Sequence, residues 1–105
     1  MQHNLELGED EARIAIDVCV AELKRRGKAG VIAVADGHGE LIALWRTDSC
    51  ALPSGDARYI GWDGGAPVMH EGRWLGAVAV SGLSGQEDLD IAQLGIDAIL
   101  ASLAA

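Results

Sequence analysis

The groups able to do chemistry are concentrated around the middle of the chain. Arg46, Asp48, Arg58 and Asp63 fall in or beside one stretch, and guanidinium and carboxylate groups so placed can clamp a small carboxylate at two points or move a proton. Arg46 or Arg58 would then serve as anchor and Asp63 or His70 as base, which makes Arg58, Asp63 and His70 the catalytic candidates. Tyr59 and Trp62 lie in the same stretch and can line an aromatic pocket or simply plug a gap. With Gly64 and Gly65 they complete a binding set of Arg46, Asp48, Tyr59, Trp62, Gly64, Gly65 and His70.

Other polar groups have plainer uses. Asp36 precedes Gly37 and suits a turn, while Asp88 suits the first turn of a helix, where negative charge is favoured. His3 stands in the N-terminal tail and His38 between two glycines, so both read as exposed. Ser81 lacks a Gly-x-Ser-x-Gly elbow, and neither Gly37-x-Gly39 nor Gly64-Gly65 leads into a phosphate-binding helix. Zinc-type ligand spacing is absent, and Cys19 and Cys50 read as free thiols.

Positioning these groups requires regular elements, and their signals are clear at both ends. Ala12, Ala15, Ile16, Cys19, Val20 and Leu23 recur at helical spacing, with acids at the start and Lys24, Arg25 and Arg26 before Gly27. A helix over 8–26 follows. Val31–Ala35 and Leu41–Trp45 flank a Gly-containing turn and read as a hairpin buried on both faces. Residues 49–65 show no period, beyond room for one helical turn over 56–60. Val68–Glu71 and Trp74–Val80 give two further strands, the latter with Trp74, Gly76, Val78 and Val80 alternating against Leu75, Ala77 and Ala79. Ser84 and Glu87 form a capping box before an apolar stripe of Leu89, Ala92, Ile96, Ile99 and Leu103. The order α-β-β-loop-β-β-α predicts one α+β domain over 1–105, an antiparallel sheet with both helices on one face.

Composition narrows the partners. A net charge of −8 in 105 residues repels phosphate backbones and anionic lipid, so neither nucleic acid nor membrane is expected. The N-terminus has no basic segment followed by an apolar run, which gives a cytoplasmic expectation. Two apolar helices on so short a chain leave surface that favours a homo-oligomer.

A family resemblance rests on several short motifs in order. Val34-x-Asp36-x-x-Gly39-x-Leu41, Arg46-x-Asp48, Gly64-Gly65-x-Pro67, Gly72, Gly76, Val80-Ser81-Gly82 and Asp88-x-x-x-Ala92 resemble the pattern of the GlcG/HbpS family over about residues 8–100. The interval 49–63 is shorter than the family's central helical section. The resemblance implies a profilin-like or PAS-like fold, often oligomeric, and a small-molecule ligand, either haem or another planar aromatic molecule. Haem iron needs an imidazole, thiolate or thioether ligand, and His70, with the neighbouring Met69 or with Cys50, is the candidate. The expected pocket lies between residues 49–65 and the sheet, near Trp62, Arg46 and His70. The rival readings are a cofactor-independent catabolic enzyme for a small aromatic or hydroxy-acid metabolite, and a structural accessory subunit.

Overall fold

The computed structural model describes residues 6–48 and 65–104. Arg58, Tyr59, Trp62, Asp63 and Gly64 lie outside the described residues, as do the helical turn expected over 56–60 and the shortened central section.

Six elements follow in the expected order: α1 (Glu9–Arg26), β1 (Val31–Ala35), β2 (Leu41–Arg46), β3 (Gly65–His70), β4 (Arg73–Ser81) and α2 (Gly85–Ala104). At the start of α1 the Glu11 carboxylate accepts the Gly8 amide at 2.8 Å, satisfying one unpaired donor. Its end turns on Gly27, whose φ of 67° is left-handed, and the Lys28 amide closes back on the Leu23 carbonyl at 2.9 Å. Arg25 and Arg26 both pair with Glu22, and Arg26 also reaches Glu87 at the start of α2, 3.7 Å away.

The four strands are antiparallel in the order β2-β1-β4-β3. Both helices pack on the sheet and on each other, hence on one face as expected. Ile32 and Val34, Val68, and Leu75, Val78 and Val80 meet Ala12, Ala15, Ile16, Cys19 and Leu23 of α1 and Ile91, Ala92, Ile96 and Ile99 of α2.

Three details differ from the sequence reading. The double-sided burial expected of both early strands holds for β1 but not for β2, which is a half-exposed edge. In β4, Leu75 joins Val78 and Val80 in the core instead of alternating against them, because a register shift opposite Val68/Met69 lets β4 carry one residue more than its partner. On α2 Leu89 is 37% exposed, and the buried face runs instead through Ile91, Ala92, Gly95, Ile96 and Ile99, because this helix must contact α1 as well as the sheet.

Gly76 shows why one small residue is required. A β-carbon there would stand 2.3 Å from the Ala35 carbonyl oxygen and 2.8 Å from Leu7 Cδ1. Leu7 itself is held by its amide on the Leu75 carbonyl at 3.0 Å.

Candidate functional site

The sheet order sets β2 at an edge under α1, and a groove of about 370 Å³ opens between them. Its apolar lining is Ala12 and Ile16 from α1 with Ile42 and Ala43 from β2; Trp45 adds an indole that is 48% exposed. Glu9, Arg13 and Asp17, four residues apart along α1, supply its polar groups. An apolar floor, one large aromatic ring and a few charged groups form the makeup of a small-molecule site. Trp45 can stack a flat ring or a cation, and Arg13 can take a carboxylate in two-point geometry.

The residues expected to share one site are spread out. Arg46 pairs through Val31 with Ser81, the last residue of β4, whereas His70 pairs with Arg73, the first. Since β4 has 9 residues, Arg46 and His70 stand at opposite corners of the sheet, roughly 25 Å apart along the strand direction alone. A small hydroxy acid cannot touch both. Asp48 is exposed just past β2, and Gly65 opens β3 opposite Ala79. His70 is partly exposed, with Nε2 3.9 Å from the Glu71 carboxylate.

Haem ligation meets a chemical limit here. Among the described residues, none that lines the groove is a His, Cys or Met, so these residues supply no axial ligand for iron. His70 sits on the other edge strand, and strand alternation turns Met69 to the opposite face from it. Cys19 is buried between the helices, its thiol donating to the Ile91 carbonyl at 3.4 Å, and burial pushes its pKa up to about 12. That thiol is neither nucleophile nor ligand. Cys50 lies outside the described residues.

Reading the sequence alone missed the groove, because Arg13 and Trp45 are far apart in the chain. The available signal was the row Glu9, Arg13 and Asp17 bordering the apolar stripe of α1, together with a Trp ending a strand.

Comparison with known proteins agrees with the fold. The family described as haem degrading protein HbpS-like matches residues 52–97, and the resemblance to GlcG/HbpS is borne out. No curated protein sequence matches the chain. Protein ORFY of Klebsiella pneumoniae, a DUF336 structure, superimposes with a TM-score of 0.80 at 19% identity, covering 94% of each chain. The PduOC:haem complex gives 0.74 at 18% identity, covering 90% of this chain and 95% of that one. HbpS gives 0.73 at 19% identity, with 92% of each chain covered. Among the described residues no helix is long and apolar enough to cross a membrane.

Proposed function

We propose that this GlcG/HbpS-like chain is a small-ligand-binding protein that takes a planar aromatic molecule in the groove between α1 and β2. The observation that carries the reading is Trp45, a large aromatic side chain left half-exposed beside an apolar floor and within one groove with Arg13. Stacking on Trp45 holds the flat face, and Arg13 takes a carboxylate at its rim. The haem complex of its structural neighbour PduOC supports a ligand of this shape.

A second reading places haem at the far end of the sheet with His70 as axial ligand, favoured by the partial exposure of that imidazole at a hairpin end. Titration with haem and with metal-free protoporphyrin separates the two. Groove binding accepts both porphyrins, is weakened by Trp45→Ala and ignores His70→Ala. Binding of haem alone, with a Soret band that changes in His70→Ala, replaces the groove by His70. Failure of both porphyrins to saturate the protein removes this ligand class and shifts weight to catabolism of a smaller metabolite.

A further inference from the structure

We propose that Glu6, Asp36 and His38 form a binding site for a divalent transition-metal cation of the zinc type, separate from the groove. The three side chains come from two distant parts of the chain. Asp36 and His38 belong to the turn joining β1 to β2, and Glu6 precedes α1. One ligand atom from each lies within 4.8 Å of the other two. Donors about 2.0–2.2 Å from a shared cation stand roughly 3 to 4.3 Å from each other, so the three can close on one ion with little movement.

The backbone sets each donor. Asp36 Oδ1 accepts the amides of His38 at 2.8 Å and Glu40 at 3.1 Å, which fixes the carboxylate plane and leaves its second oxygen available. Glu6 is carried to the turn by the adjacent Leu7, whose side chain is buried and whose amide is bonded to β4. Its Oε1 accepts the Gly37 amide at 3.0 Å and stands 3.3 Å from His38 Nδ1. Gly37 permits that approach, since a β-carbon there would lie 3.3 Å from both Cβ and Oε1 of Glu6. Turn contacts therefore account for one oxygen of each carboxylate and for neither of the other two.

Ligand type selects the metal. Two carboxylates alone suit magnesium or calcium, whereas an added imidazole favours zinc, nickel, cobalt or iron. Three protein ligands leave the remaining coordination positions to water or a small anion.

The test titrates zinc into the untagged chain carrying Cys50→Ser, so that the thiol most able to compete is absent, and follows cobalt binding by its visible absorption. One equivalent is expected, retained against excess magnesium and unchanged by His3→Ala and His70→Ala. His38→Ala removes an exposed ring and should weaken binding about tenfold or more. Asp36→Asn and Glu6→Gln keep the oxygens that hold the turn while removing charge, and each should weaken binding similarly; circular dichroism confirms that each variant is folded. Absence of saturable zinc binding overturns the proposal, and so does binding that survives His38→Ala at full strength.

Discussion

Cys19 on α1 and Gly95 on α2 meet so closely that a β-carbon on Gly95 would stand 2.9 Å from the Cys19 sulfur. The two helices share one core through this contact, and Gly95 is kept in a helix interior despite the entropy it loses there. Gly95→Ala should gain about 1 kcal/mol in helix propensity and lose about 2 kcal/mol to overpacking, a net loss of about 1 kcal/mol. In a Cys19→Ala background the nearest neighbour becomes Ala15 Cβ at 3.4 Å, an ordinary contact, and the loss should vanish. Denaturant melts of the four proteins measure the coupling; an equal loss in both backgrounds would mean that the sulfur is not the obstacle.

Asp88 governs a pH dependence. Its carboxylate accepts the Leu83 amide at 3.0 Å from a buried position at the start of α2, and desolvation raises its pKa, with the Leu83 hydrogen bond acting in the opposite direction. A raised native pKa means that this group contributes most below the unfolded carboxyl value and loses that contribution as pH rises through the native one. Asp88→Asn keeps an acceptor without the charge, so its stability relative to the parent should increase between about pH 3 and about pH 7. Asp88→Ala strands the Leu83 amide and should cost about 1 kcal/mol at the lower pH and less at the higher one, where the parent carries a desolvated charge. Thermal melts of the three proteins at both values decide this, and an Asn variant that weakens relative to the parent with rising pH contradicts it.

Glu71 carries local strain. It and Gly72 form the two-residue turn between β3 and β4 with φ of 52° and 77°, a pattern that suits Asn-Gly far better than Glu-Gly. Glu71→Asn should therefore stabilise the fold by about 0.5–1 kcal/mol. A lower melting temperature in that variant would show that the Glu71 side chain makes a compensating contact.

The helices and three of the strands were legible because period, caps and turns agreed locally. Ser84 does accept the Glu87 amide as its sequence suggested, although Asp88 rather than Glu87 reaches back to the preceding backbone. β3 begins at Gly65, before the β-branched residues that signal it, because Pro67 on an edge strand need not donate to a ladder. Register shifts leave no mark in composition, so the place of Leu75 in the core beside Val78 and Val80 was hidden. The placement of Arg46 and His70 was hidden too, since pairing of β1 with β4 joins segments far apart in the chain, and motif order carries no information about which corner of a sheet a residue occupies.

Homo-oligomerisation is expected from the large apolar side chains left at the surface, among them Met69 and Trp74, which face each other across β3 and β4. Light scattering at micromolar concentration should give a multiple of the 10.9 kDa chain mass. A mass of one chain rejects this expectation.

The central claim is where the ligand sits, and amide chemical-shift mapping with metal-free protoporphyrin tests it most directly. Binding in the groove predicts the largest shifts over 9–17 on α1 and 42–45 on β2, saturating together, and lost in Trp45→Ala. Shifts centred instead on His70 and the β3–β4 turn, with α1 and β2 unmoved, would contradict it.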